Sequence, residues 1–167
     1  MTAVVEICES NGAGQTITHG ITHTNMGSID SVNLDTDANP IYAGDRSYVK
    51  EQRMHVTSLG GSSKIKNLRV WRNGALGTNT THVTNVRTSG YGGAFAYVTP
   101  SNAAVTGVDQ AMPTSQPISA NVGIGGSLTG EITAPGYSDY IAHQLITAVE
   151  DTIGADISLN YSYDEYL

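Results

Sequence analysis

The sequence predicts an all-β protein, an antiparallel β-sandwich of jelly-roll-like type with eight to ten short strands and long loops. Three observations predict it. Residues 155–165 alternate large apolar with small polar side chains without a break: Ile157, Leu159, Tyr161 and Tyr163 on one side, Asp156, Ser158, Asn160, Ser162 and Asp164 on the other. That is the period of a strand with one dry face and one wet face. Two further strand patterns, 47–59 and 64–72, flank Gly60-Gly61-Ser62-Ser63, a short glycine-containing connection of hairpin type. Composition agrees, since 19 of 167 residues are Gly, charged residues are only 14%, and Thr, Ser, Asn, Val and Ile recur. Such a mixture makes strands joined by tight turns.

Taken in order, 2–8 reads as a first strand and 15–24 as Thr-rich extended chain. The polar stretch 30–41 contains Asp35-Thr36-Asp37-Ala38-Asn39-Pro40, a loop by its turn chemistry. On 64–72, Ile65 and Trp71 share a face with Asn67 and Arg69, while Leu68 and Val70 share the other with Lys66. Both faces are thus partly covered, as in a strand inside a sandwich or against a neighbouring subunit. Asn73-Gly74 ends that strand, and 75–89 is another Thr/Asn-rich passage. The alternation of Phe95 and Tyr97 makes 94–99 a short strand stopped by Pro100, and within 111–130 strand is expected only around 118–124. Residues 138–150 fit a helix with Ser138 as N-cap and Ile141, Leu145 and Ala148 on one face, or a strand. The flanking Gly136 and Gly154 and the approach to 155–165 favour the strand.

A chain of 167 residues is expected to form one domain, spanning 1–167. With 15 Asp plus Glu against 8 Lys plus Arg the formal charge is −7, which argues against a nucleic-acid surface because phosphate binding needs clustered cations. No apolar run approaches the roughly 20 residues of a membrane span, so no membrane partner is expected. The start Met1-Thr2-Ala3-Val4-Val5-Glu6 lacks the regions of a signal peptide, and synthesis in the cytoplasm is the expectation. Cys8, a single cysteine beside Glu6 and Glu9, reads as a buried small hydrophobe in the first strand.

No constellation for reaction chemistry is legible, and the expectation is a protein that is not an enzyme and needs no cofactor. His19 and His23 have helical metal-ligand spacing but lie in Thr-rich extended chain, which would part them by about 13 Å. Asp35-x-Asp37-x-Asn39 copies the opening of a calcium loop, but Pro40 stands where glycine is needed and Arg46 where a glutamate belongs. No metal site is therefore assigned. Gly123-Ile124-Gly125-Gly126 lacks the lysine of a phosphate loop and reads as a turn. No nucleophile elbow or glycosidase acid pair occurs. The 9 Tyr and 1 Trp against 1 Phe are a skewed set suited to interfaces. Tyr48, Trp71, Tyr91, Tyr97, Tyr137 and Tyr140 are the interface candidates. Pairing Tyr91 with Tyr97, or Trp71 with Tyr137 and Tyr140, would make a sugar-binding platform, the less favoured use.

Three runs carry a resemblance: Asp45-Arg46-Ser47-Tyr48-Val49-Lys50 through Met54-His55-Val56 to Ile65-Lys66-Asn67-Leu68-Arg69-Val70-Trp71; Asp139-Tyr140-Ile141-Ala142-His143-Gln144-Leu145; and Tyr161-Ser162-Tyr163-Asp164-Glu165. Together they cover about half the chain and resemble a group of small virion structural proteins of tailed bacteriophages. Gln52 departs from the pattern, in which an aromatic often stands at that place. The resemblance implies an antiparallel β-sandwich located in the virion. Its function would be capsid decoration: binding the major capsid protein lattice as a homo-oligomer, trimers favoured, and stabilising the particle without turnover. A neck or tail component is the nearest variant. The alternative is a carbohydrate- or receptor-binding module of a fibre.

Overall fold

The computed structural model describes residues 2–149 and 156–167. It is all-β and antiparallel, with nine strands among the described residues: β1 (Val4–Asn11), β2 (Thr16–Thr18), β3 (Lys50–Ser58), β4 (Lys64–Asn73), β5 (Thr81–Thr84), β6 (Gln110–Ala111), β7 (Gly136–Tyr137), β8 (Ile141–Ile146) and β9 (Ser158–Tyr166). Seven form one sheet in the order β2-β1-β3-β8-β5-β6, with β7 paired to β3 beside β8. The other two, β4 and β9, form a second sheet. The ambiguous segment 138–150 is a strand over Ile141–Ile146, as favoured; Glu150 and Gly154 lie outside the described residues.

The two sheets face each other in a sandwich-like arrangement. Met54 and Val56 of β3 and Ile141 of β8 meet Ile65, Leu68 and Val70 of β4, all nearly inaccessible, and Leu159, Tyr161 and Tyr163 of β9 pack against them. The dry face read in 155–165 is therefore the face that closes the core. The opposite face of the large sheet carries Val49, Val83, Ala142 and Val108, covered by Phe95, Val98 and Val105. Burial on both faces explains why β3 begins with three buried polar residues, Lys50, Glu51 and Gln52.

Four expectations are corrected. Gly60-Gly61-Ser62-Ser63 does not join a hairpin. β3 is already paired along both edges, to β1 on one and to β7 and β8 on the other, so β4 finds no vacant edge and the chain crosses to the second sheet. The division of apolar residues between the faces of 64–72 is also replaced. Asn67 adopts φ +52° and the β4–β9 register shifts between Lys66 and Arg69. This bulge puts Ile65 on the same buried side as Leu68 and Val70.

Residues 94–99 form no strand: Phe95 and Val98, three apart, both turn to the core, and that spacing is incompatible with alternation. Residues 118–124 form no regular strand either. There the side chain of Asn121 takes over ladder bonding, its Oδ1 accepting from the Val70 N–H at 2.9 Å and its Nδ2 donating to the Val70 carbonyl at 2.8 Å. Strands β5, β6 and β7 were not legible because they are two to four residues long.

The bulge gives a direct test. Asn67 tolerates the left-handed conformation and its Nδ2 donates to Asp164 Oδ2 at 2.6 Å, while Arg69 Nη1 donates to Asp164 Oδ1 at 3.0 Å. These bonds, Arg69's foremost, hold the Asp164 carboxyl below its ordinary range. Asn67→Gly loses only the hydrogen bond, whereas Asn67→Val adds left-handed strain of about 1–2 kcal/mol. Urea unfolding should rank wild type above Gly above Val; equal midpoints for Gly and Val would remove the bulge from the account.

Candidate functional site

A row of polar side chains crosses the outer face of the large sheet. Glu6 on β1 and His55 on β3 are direct cross-strand partners, as are His55 and Tyr137 on β7. His19 follows β2 immediately, and Gly20, at φ +62°, turns the chain beside Glu6, where an added Cβ would make an ordinary contact with Glu6 Oε2 at 3.5 Å. The Nδ1 atoms of both histidines converge on one oxygen, Glu6 Oε1, at 2.8 Å from His19 and 2.7 Å from His55. The hydrogen bond from His55, then that from His19, lowers the Glu6 pKa. The His55 ring stacks on Tyr137 at 4.1 Å and 10°, fixing its plane. Arg53, on the same face two residues earlier, lies over the rings of Tyr137 at 4.1 Å and Tyr140 at 4.6 Å.

Among the described residues this is the one group of three ligand side chains whose donor atoms all lie within 4.8 Å of one another. His19 belongs to it and His23 does not; His23 Nδ1 instead meets Thr22 Oγ1 at 3.0 Å. Sequence reasoning missed the cluster because Glu6 is 13 residues from His19 and 49 from His55, and only the strand register joins them. The Asp35 loop uses its oxygens in a turn, Asp35 Oδ1 accepting from the N–H groups of Asp37 and Ala38.

A second polar assembly fills one end of the core. Lys50 Nζ donates to Glu9 Oε1 at 2.8 Å and to the Ser31 carbonyl at 2.7 Å, and Gln52 Nε2 donates to Glu9 Oε2 at 3.2 Å. Gln52 Oε1 accepts from Tyr161 OH at 2.9 Å and from His143 Nε2 at 3.2 Å. His143 Nδ1 is then left as an acceptor, 2.9 Å from His82 Nε2. Burial, then the Arg72 charge, lowers the His82 pKa to about 4, and burial depresses His143 well below the ordinary value. The neutral tautomers follow: His82 Nε2–H donates to His143, leaving His82 Nδ1 a buried atom without a partner. His82, Thr24, Leu159 and Tyr161 line a cavity of about 390 Å³ there. Gln52 is the hub of this network.

The interface candidates are scattered. Tyr140 is buried, its hydroxyl 3.2 Å from Ser10 Oγ and its ring 5.7 Å from that of Tyr97. Tyr97 OH donates to the Gly12 carbonyl at 2.6 Å, and Tyr91 OH to Asp139 Oδ2 at 2.8 Å. Tyr137 stands in the histidine row, Trp71 on β4 opposite Asn160, and Tyr48 is half-buried just before β3. Among the described residues no ring contact joins Tyr91 to Tyr97, or Trp71 to Tyr137 or Tyr140. Cys8 is buried in β1, as expected, and burial pushes its thiol pKa up.

The two edges of the small sheet differ. The outer edge of β4 is covered: Ile65 bridges Ile132, Asn121 and Val122 donate to the Leu68 carbonyl, and Arg72 donates to the Pro113 carbonyl. β9 pairs with β4 on one side. Among the described residues, no backbone group pairs with its other side along nine residues. Compared with known proteins, the chain matches no family model, no curated protein and no solved structure.

Proposed function

We propose that this chain is a virion structural protein of a tailed bacteriophage that decorates the capsid surface and stabilises the particle by non-covalent assembly, without turnover. The observation that carries the reading is the open edge of β9. Among the described residues this nine-residue strand pairs only with β4, and a free edge of that length is a template for another strand, which proteins that stay monomeric usually shorten, charge or cover. Here the wet side of β9 carries Ser158, Asn160, Ser162 and a single charge, Asp164, with no lysine or arginine. The occupant we assign is a second copy of this chain. Pairing β9 with a different edge of the next copy closes a ring, and a trimer is the ring that fits a threefold site on a capsid lattice. The sequence resemblance supports the same placement.

Lysines at Ser158 and Asn160 test this without touching the core, because both side chains lie on the wet face. Wild type should form trimers by light scattering at particle-like concentrations and co-sediment with emptied capsids. The double variant should stay folded by circular dichroism, become monomeric and lose capsid binding at least tenfold. A monomeric wild type that is instead retained on polysaccharide would replace the assembly reading with the sugar-binding one.

A further inference from the structure

We propose that Glu6, His19 and His55 bind one divalent transition-metal ion of the zinc class, a site independent of the β9 edge. The donor set selects the ion. Two imidazole nitrogens and one carboxylate suit zinc and its borderline neighbours, whereas calcium and magnesium require oxygen. Both Nδ1 atoms already point at one place, the position of Glu6 Oε1, at 2.8 and 2.7 Å. In a tetrahedral zinc site the donor atoms sit roughly 3.3–3.5 Å apart, which follows from bonds of about 2.0–2.2 Å. Rotating the Glu6 carboxylate outward makes room for the ion between the three groups. Each neutral ring then carries its proton on Nε2 and offers the Nδ1 lone pair.

The surroundings favour a built site over a chance meeting. Strand register sets Glu6 opposite His55, stacking on Tyr137 holds the His55 plane, and the left-handed Gly20 returns His19 over the pair. The Arg53 guanidinium on the same face is taken up by the Tyr137 and Tyr140 rings. Side-chain exposures of 45% for His19, 27% for Glu6 and 17% for His55 leave one coordination position facing solvent, for water or a donor from another molecule. The ion would tie β1, β3 and the segment after β2, where the Ile21 N–H already bonds the Ile7 carbonyl at 3.0 Å.

The test uses the full chain freed of metal, titrated with Zn²⁺ by calorimetry and with Co²⁺ by visible absorption. One ion per chain is expected, with the cobalt bands of nitrogen and oxygen ligation and a rise in melting temperature. Glu6→Gln, His19→Ala and His55→Ala should each weaken binding tenfold or more. His23→Ala should bind as wild type does. His19 lies outside the strands, so its variant stays informative if a strand variant fails to fold. Unaltered stoichiometry and affinity in His19→Ala, no binding by wild type at millimolar Zn²⁺, or loss of binding in His23→Ala would each overturn the proposal.

Discussion

Glu51→Gln should abolish a loss of stability on the alkaline side of neutrality. Glu51 is fully buried on β3 between Ser10 and Ala142, and neither carboxylate oxygen has a hydrogen-bond partner. Burial raises its pKa to about 8; the Val98 N–H favours the charge but stands outside hydrogen-bonding geometry. The native state therefore holds a proton that the unfolded state has released, from about pH 4.5 up to about pH 8. Stability must fall as pH rises through that window.

His82 and His143 act with the opposite sign. Their depressed pKa values mean that the unfolded state binds the extra protons, so stability falls as pH drops below 6.5. The two effects oppose each other between pH 4.5 and 6.5. Above that Glu51 acts alone and costs on the order of 2 kcal/mol by pH 8. Urea midpoints should therefore peak near pH 6.5 in wild type and stay level to pH 8 in Glu51→Gln. A parallel decline in both proteins would show that Glu51 ionises without penalty.

Lys50→Met should cost about 3–5 kcal/mol, a large share of the stability of an ordinary domain, because it strands a buried carboxylate. Glu9 is inaccessible and would keep only the neutral amides of Asn11 and Gln52. Glu9→Gln combined with Lys50→Met should recover most of the loss, since removing both charges removes the desolvation that each imposes. Chemical denaturation of the two singles and the double measures the coupling. If Lys50→Met alone were neutral, the Lys50–Glu9 pair would not be the desolvated ion pair that its 2.8 Å separation and burial define.

How much of this was legible depended on the range of the interactions. Alternation along β9 is a local property of the chain, and its dry face was read correctly down to Leu159, Tyr161 and Tyr163. The strand choice for β8 rested on local signals too. The pairing of β4 was misread because a glycine-rich link says that the chain turns and nothing about which edges are taken. Its faces were misassigned because one left-handed Asn inverts the alternation beyond it. The charged half of the core was illegible for a similar reason. Lys50, Glu51 and Gln52 look like a solvated strand end until the coverage of both sheet faces is known. The Glu6, His19 and His55 cluster follows from register alone, which no spacing rule encodes.

The pairing of β4 with β9 also sets a constraint on how the chain is made. Arg69 and its partner Asp164 are 95 residues apart, so β4 leaves the ribosome long before its partner exists. At translation rates of about 5–20 residues per second, the apolar row of Ile65, Leu68 and Val70 waits roughly 5–20 seconds without the strand that completes its sheet. Lys64, Lys66, Arg69 and Arg72 are interspersed with that row and act as gatekeepers against association of nascent chains. The second sheet can close only as a late, long-range step of folding, and refolding should be slow for a chain of this size.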